Sequence, residues 1–497
     1  MKNRINFLKR KRFFRFFLLQ KYSAECIIID ECYITEELMD KISLLQSRRN
    51  ALLQAGEAVR KSVSTLIDAD SFVETDSFSF SGNEFYGENA EGEGVVTGLA
   101  TLEDTPVAIV ALNSAVLSGG LTLAGCKKIV KCLEKAENAS APVVYLLSSQ
   151  GVVAGEGVNV LEGVAEVVAK MDELKGYVPQ FAVVLGDVLG SASLFVAEAD
   201  YAYYLKDSCV SYASPLVIAA KSNLSADKAK IGGAVATEYN NLATFTVESL
   251  EEVKDSIANI LNVLPAYGGE LLETGDDLNR AFPALNEKAC AKCLQEAVFD
   301  KDYCIELGKG YAPEVVTAIG RIGGYSAAAI IFNGENGVAL TKENVYKVKE
   351  FLYYCDDNDL PVITFVNTLG IEENTKVSNS TVLKEITNLV NALKTEMPRI
   401  NVVYGKAIGL GYTLFASKAF GADYTYAFAN AQIGLFNSEV GARLEIAGSE
   451  EKIDAAMERY TEETMDAFNA ARNGYIDNVI EPQFVRQYLI AAIQTLI

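Results

Sequence analysis

The stretches "APVVYLLSSQG" (141–151) and "LPVITFVNTLG" (360–370) align at an offset of 219 residues, which pairs Pro142 with Pro361 and Gly151 with Gly370. The same offset carries "PQFAVVLGDVLGSA" (179–192) onto "PRINVVYGKAIGLG" (398–411), pairing Gly186 with Gly405 and Gly190 with Gly409. A four-residue insertion in the second copy then brings "ADY" at 199–201 to "ADY" at 422–424. Upstream, "GVVTGLATLEDTPVAIVALN" (94–113) resembles "EVVTAIGRIGGYSAAAIIFN" (314–333) at an offset of 220. Offsets held over such a distance mark two copies of one folding unit. The expected organisation is a basic extension at 1–38, a first domain at 39–265, a connection at 266–300 and a second domain at 301–497.

Each copy reads as α/β. A β-rich opening leads to a helix such as "GCKKIVKCLEKAEN", then to a short Val- and Leu-rich run that suits a strand buried on both faces. In the first copy Val160, Val164, Val167, Val168, Met171 and Leu174 recur at helical spacing and form one apolar stripe. A second buried strand follows, "FAVVLG" or "INVVYG", and then a small-residue turn and another helix.

Composition removes several chemistries. The chain has no His, so Ser-His and Cys-His nucleophile pairs, imidazole acid/base catalysis and His-ligated metals are excluded, and no metal site is expected. The net charge of −22 repels phosphate, so nucleic acid is not an expected partner. No segment is long and apolar enough to span a bilayer. The nine cysteines are scattered through apolar or helical contexts, as in a reduced, cytoplasmic protein. Cys290 and Cys293 form a lone CxxC in "KACAKCLQEA", without the second pair that a zinc knuckle needs. The opening "MKNRINFLKRKRFFRFFLLQK" carries eight Lys/Arg and no acid, whereas residues 39–497 hold 36 basic and 61 acidic residues. Arg15 interrupts the apolar run that a secretory signal requires. The extension reads as upstream sequence or a tail, with a basic membrane-surface anchor as the alternative.

The glycines after the buried strands carry the chemistry. A strand that ends in a Gly-rich turn and opens a helix leaves unpaired N–H groups and no side chain to hold a carbonyl oxygen away. Two such turns converging on one point suit a developing enolate oxygen. Close helix-on-strand packing accounts for a single such turn equally well.

At this point the sequence resembles a known family. The ordered features "SFVETDSF" (71–78), "GEGVVTG" (92–98), "VLSGGLTLAGCKKI" (116–129), "EGVNVLEG" (156–163), "CDDNDLPVITFVNTLG" (355–370), "GKAIGLGYTLFASKAFGADYTYA" (405–427) and "AARNGYIDNVIEP" (470–482) are similar to the acyl-CoA carboxyltransferase subunits of biotin-dependent enzymes. That group includes the propionyl-CoA carboxylase β-chain and the methylmalonyl-CoA decarboxylase α-chain. The resemblance implies a tandem pair of crotonase-like ββα spiral domains, the first holding an acyl-CoA thioester and the second holding biotin. Carboxyl would move between biotin N1′ and the acyl α-carbon, with both enolates held by backbone amides. Carried over by position, the catalytic amide pairs fall on Gln150 and Gly151 and on Leu410 and Gly411. The acyl-CoA side takes Gly190, Ser191, Ala192, Gly119 and Gly120, and the biotin side takes Gly370, Gly409 and Tyr412.

The departures are specific. Ser148, Gln150 and Val153 stand where relatives carry Asp, Gly and Arg, and Leu410 replaces a Gly. Side chains at 150 and 410 are expected to forbid a left-handed backbone and to narrow the pocket. The biotin-attachment signature is missing, since Lys170 in "AKMDE" lies on a predicted helix, and there is no phosphate-binding loop. The implied partners are therefore a separate biotin carboxyl carrier protein, a biotin carboxylase or membrane decarboxylase subunit, and further copies in a dimer-built hexamer. The implied location is the cytoplasm, or the periphery of a membrane complex. Two other readings stay open: a non-catalytic paralogue with an assembly role, and an enoyl-CoA hydratase or isomerase using an acid such as Glu156 or Glu439.

Overall fold

The computed structural model describes residues 36–79, 91–222, 227–233, 236–265, 274–371, 381–447 and 452–497. Residues 1–35 of the basic extension lie outside the described residues, and a helix runs Glu36–Ala55. The chain divides into two compact units, residues 1–170 and 171–497.

In the first unit, β2 (Val95–Leu102) and β3 (Thr105–Leu112) form an antiparallel hairpin. Strand β1 (Val73–Thr75) pairs with the free edge of β2, and β4 (Val143–Ser149) runs parallel to β3. The hairpin turn places Glu103 (φ 45°) and Asp104 (φ 63°) in the left-handed region that a two-residue turn of this hand demands. Asp68 offsets the strain, because its carboxylate accepts both turn N–H groups at 3.0 Å. The crossover from β3 to β4 is the helix Leu123–Ala139, opened by Thr122, whose hydroxyl accepts the Gly125 N–H at 2.9 Å. Its face of Cys126, Ile129, Cys132, Leu133 and Ala136 is buried.

The second unit opens with β5 (Gln180–Leu189), β6 (Tyr201–Leu205), β7 (Cys209–Ser211) and β8 (Phe245–Val247). Strands β6 and β7 both pair parallel to β5, and β8 pairs parallel to β6. The chain then builds a nine-stranded sheet from β9 (Cys304–Leu307), β10 (Val315–Ile322), β11 (Tyr325–Phe332), β12 (Val338–Leu340), β13 (Val362–Ile371), β14 (Arg399–Ile408), β15 (Tyr424–Phe428), β16 (Gln432–Gly434) and β17 (Asn478–Ile480). Its order is β17-β15-β14-β13-β11-β10-β9, with β12 on β13 and β16 on β14. Strands β9, β10 and β11 are antiparallel neighbours, and every later pairing is parallel. One face of this sheet, with Ile363, Phe365, Ile400, Val402 and Phe428, packs against the helices Ala291–Val298 and Val485–Leu496 through Leu294, Val298, Leu489 and Ile493.

The offsets read in the sequence are the offsets between strands. β2 and β10 start 220 residues apart, β4 and β13 219, β5 and β14 219, and β6 and β15 223. The repeated "ADY" is a strand-starting device: the carboxylate of Asp200 accepts the Gln180 N–H at 2.8 Å, and that of Asp423 accepts the Arg399 N–H at 2.9 Å. The second hairpin turn, Gly323–Gly324, is held as the first is, with both N–H groups on Asp300 at 2.8 and 2.7 Å. Asp300 also pairs with Arg486, both about 1 % exposed. In the helix Val158–Leu174, Val160, Val164, Val167, Met171 and Leu174 of the expected stripe are buried and Val168 is partly so.

Candidate functional site

Strand β13 carries "NTLG" just before its last residue, Ile371, and Asn367, Thr368 and Gly370 are each tied down. Asn367 sits where the β13–β14 ladder shifts register between Val366 and Thr368. Its Nδ2 donates to Gly334 O at 2.5 Å, and its Oδ1 accepts the Lys406 N–H at 2.9 Å. The Thr368 hydroxyl donates to Val338 O at 2.7 Å and accepts the Gly370 N–H at 3.2 Å. Gly370 takes φ +78°, a left-handed conformation that favours glycine, and lies opposite Ala339 of β12.

Strand β14 ends the same way. Gly409 adopts φ 53° and ψ −120°, a conformation reserved for glycine, and its N–H donates to Gly434 O at 2.9 Å. The helix Leu410–Phe415 starts there, and Thr413 N–H makes its first bond, to Gly409 O at 3.2 Å. The N–H groups of Leu410 and Gly411 belong to the first turn and have no helical acceptor. Among the described residues none is bonded to them. Both nitrogens border one small space: a β-carbon built on Gly370 would lie 3.5 Å from Leu410 N, 3.7 Å from Gly411 N and 2.9 Å from Ile408 O. The two turns of this repeat therefore meet, and a side chain at 370 would fill the place where they do. Gly411 is buried, Tyr412 is partly buried with its phenol pushed up chiefly by burial, and Leu410 is 39 % exposed.

In the first unit, Gly151 takes φ +105° and the Ser149 hydroxyl accepts its N–H at 3.1 Å, repeating the Thr368–Gly370 arrangement. Gln150 N–H donates to Ser118 O at 3.2 Å. The amides at 150 and 151 thus face acceptors inside the protein, unlike those at 410 and 411. Leu121 bridges to Val152 as Leu340 does to Ile371. Gly119 packs so closely on this turn that a β-carbon would lie 2.1 Å from Ser148 O, and one on Gly120 would lie 2.8 Å from Val153 Cγ2. Leu117, Ser118 and Gly119 are left-handed in succession, with φ 51°, 54° and 67°. In the second unit, Gly190 (φ 59°), Ser191 and Ala192 form the turn after β5, and the Ser193 hydroxyl donates to Gly190 O at 2.7 Å.

The expectation of backbone strain at Gln150 and Leu410 is corrected. Neither residue has positive φ, because the left-handed positions are the retained Gly151 and Gly409 beside them. Their side chains change the surface of the turns and leave the backbone path free.

Two acids considered for proton transfer are otherwise engaged. Glu156 accepts the Leu123 N–H at 2.6 Å and so caps the β3–β4 crossover helix. Glu439 pairs with Arg443 at 2.8 Å on an exposed helix. Lys170 lies within the helix Val158–Leu174 and pairs with Glu137 at 2.9 Å, away from any hairpin. Cys290 caps the helix Ala291–Val298, its Sγ accepting the Cys293 N–H at 3.2 Å. Among the described residues no group of three His, Cys, Asp or Glu gathers to hold a metal, and no helix is long and apolar enough to cross a membrane.

The Ser149 and Thr368 hydroxyls and the buried lysines Lys128 and Lys347 are structural anchors that the motifs above do not single out. The signal was available, since both pairs stand at the 219-residue offset.

A duplicated ββα layout whose strands end in glycine turns beside helix starts is the architecture of tandem crotonase-like domains. The chain belongs to the carboxyl transferase domain family, which it matches over residues 53–497. It is 27 % identical over 495 residues to the carboxyltransferase subunit of propionyl-CoA carboxylase from Haloferax mediterranei, covering 92 % of this chain and 96 % of that protein. To the methylmalonyl-CoA decarboxylase α subunit of Veillonella parvula it is 28 % identical over 462 residues, covering 89 % and 90 %. In fold it is similar to the transcarboxylase 12S structure with methylmalonyl-coenzyme A and methylmalonic acid bound, with a TM-score of 0.84, 23 % identity and coverage of 93 % and 96 %.

Proposed function

We propose that the chain is the carboxyltransferase subunit of a biotin-dependent acyl-CoA carboxylase or decarboxylase, acting on a short acyl-CoA such as methylmalonyl-CoA or malonyl-CoA. The observation that carries this reading is the amide pair of Leu410 and Gly411, unbonded among the described residues and bordering the space beside Gly370. A cradle that a single β-carbon would fill suits a carbonyl oxygen approaching edge-on and leaves no room for a side-chain acid. A biotin ureido carbonyl fits this donor set. Biotin on a separate carrier protein would supply the nitrogen that carries the carboxyl group.

In this reading Leu410 and Gly411 hold the ureido oxygen with two N–H donors, and Gly370 keeps the approach clear. Ser191 and Ala192, the corresponding helix-start positions of the first repeat, are the proposed donors to the thioester oxygen. Gly119, Gly120, Gln150 and Gly151 remain candidates for the acyl-CoA side. The engagement of Glu156 and Glu439 favours this chemistry over carboxylate-driven hydration. A hexameric assembly and work in the cytoplasm beside a biotin carboxylase or membrane decarboxylase subunit belong to the same proposal.

The test is purified chain with free biotin and methylmalonyl-CoA, following loss of the carboxylated ester. Biotin-dependent loss is the expected result. Ester binding without turnover would instead favour an assembly subunit, and biotin-independent turnover a hydratase or isomerase.

A further inference from the structure

Thr368 is fully buried where the two turns of the second repeat meet. Its hydroxyl is used twice, donating to Val338 O at 2.7 Å and accepting the Gly370 N–H at 3.2 Å. Its methyl is used as well: a β-carbon built on Gly411 would lie 2.4 Å from Thr368 Cγ2. One side chain thus fixes the Gly370 turn through hydrogen bonds and sets how closely the Gly411 turn approaches through contact.

The repeat supplies an independent observation. At the 219-residue offset, Thr368 corresponds to Ser149 and Gly411 to Ala192. At these two positions the second repeat carries a threonine and a glycine, and the first a serine and an alanine. One methyl group has changed sides while the hydroxyl has stayed, and in both repeats that hydroxyl accepts the glycine N–H two residues on. Volume-conserving exchanges of this kind are what a close-packed contact tolerates.

We infer that Thr368 is the positioning residue of the Leu410–Gly411 cradle, its methyl setting the place of the Gly411 amide and its hydroxyl that of Gly370. The role of the cradle rests on the function proposed above, whereas the packing relation stands apart from it.

Three variants separate the two. Gly411→Ala alone drives a β-carbon into the Thr368 methyl, and the expected result is a fall in Tm of about 3–8 °C. Adding Thr368→Ser moves the methyl across, as in the first repeat, and recovers at least half of that fall. Thr368→Val keeps the shape and removes the hydroxyl, so the Gly370 amide exchanges its hydrogen about tenfold faster, read on the peptide that covers residues 366–371. Additive melting effects of Gly411→Ala and Thr368→Ser, or unchanged Gly370 exchange in Thr368→Val, would overturn the inference.

Activity is read in parallel. Thr368→Val is expected to lower kcat, referred to the folded fraction measured on the same sample, at least tenfold with the KM for the acyl-CoA within twofold, the pattern of an interaction made only in the transition state. An equal fall of both, or neither, counts against a positioning role. If the unaltered protein shows no biotin-dependent turnover, the proposed function fails while the melting and exchange results still decide the packing relation.

Discussion

Lys128 and Lys347 stand 219 residues apart on repeat-related helices, and both bury their ammonium groups against backbone carbonyls. Lys128 Nζ donates to Val95 O at 2.5 Å, and Lys347 Nζ to Gly308 O at 2.9 Å and Tyr311 O at 2.7 Å. Each thereby fastens a crossover helix to the segment entering or opening a hairpin.

Burial brings both lysines down to about 8. The unfolded chain, with ordinary lysines near 10.4, binds more protons than the folded chain between those values, so stability from these groups rises with pH across that window. The expected gain is up to about 2 kcal/mol per lysine between pH 8 and 9.5. Lys347→Met makes the rise shallower and lowers stability at pH 7.5, because the Gly308 and Tyr311 carbonyls lose their donor. Denaturant midpoints at pH 7.5 and 9.5 check both statements. Equal slopes in the variant and the parent protein would rule the assignment out.

Leu410→Pro tests the backbone donor directly. Proline at the first position of a helix is tolerated, since its missing N–H would have no helical partner there. The substitution removes one proposed donor while Gly409 and Gly411 remain. A fall in kcat of about 10²–10³-fold is expected, with Tm within a few degrees of the parent. Leu410→Ala, which keeps the N–H, should retain turnover. Equal loss in both variants would point to the leucine side chain instead.

Gly370→Ala places a β-carbon 2.9 Å from Ile408 O and beside both amides, at a residue with φ +78°. It should abolish carboxyl exchange and cost about 1–2 kcal/mol of stability. Gly474→Ala is the matched control, because it shares the left-handed backbone (φ +71°) and a β-carbon there meets nothing within 4 Å. Exchange assays and melts on both proteins distinguish blockage of the cradle from a general intolerance of alanine.

Much of this layout was legible because glycine and proline survive where backbone geometry demands them, so the offset of 219 could be followed from Pro142 to Gly411. The "ADY" motif could be matched but not explained, since nothing in its letters says that Asp200 and Asp423 reach back to the first amide of the preceding strand. The hairpin clamps Asp68 and Asp300 escaped notice because they hold equivalent turns from segments outside the constant offset. Gln150 and Leu410 look like backbone problems in the sequence because relatives place two glycines together and the letters do not say which one is left-handed. Here it is Gly151 and Gly409, one beside each substitution. Ser149 and Thr368 were passed over because a hydroxyl two residues before a turn glycine is common in loops, and only the shared hydrogen bond distinguishes these two.

Asp200 supplies a prediction of the opposite sign to that of the lysines. Burial raises its carboxyl to about 7, against lowering by the Gln180 N–H and by Lys175, while Asp357 adds to the rise. The folded chain therefore holds a proton that the unfolded chain releases near 4, so the contribution to stability is complete below about pH 4 and is lost as pH rises through 7. Asp200→Asn stays neutral throughout and still offers an oxygen to the Gln180 N–H. Relative to the parent protein, the variant should gain stability steadily between pH 4 and 8, by a few kcal/mol at most, and the difference should level off above pH 8. Paired denaturant titrations at pH 4.5, 6 and 8 measure it. A difference that stays constant over this range would mean that Asp200 is already ionised at pH 4.5 and that its bond to Gln180 outweighs burial.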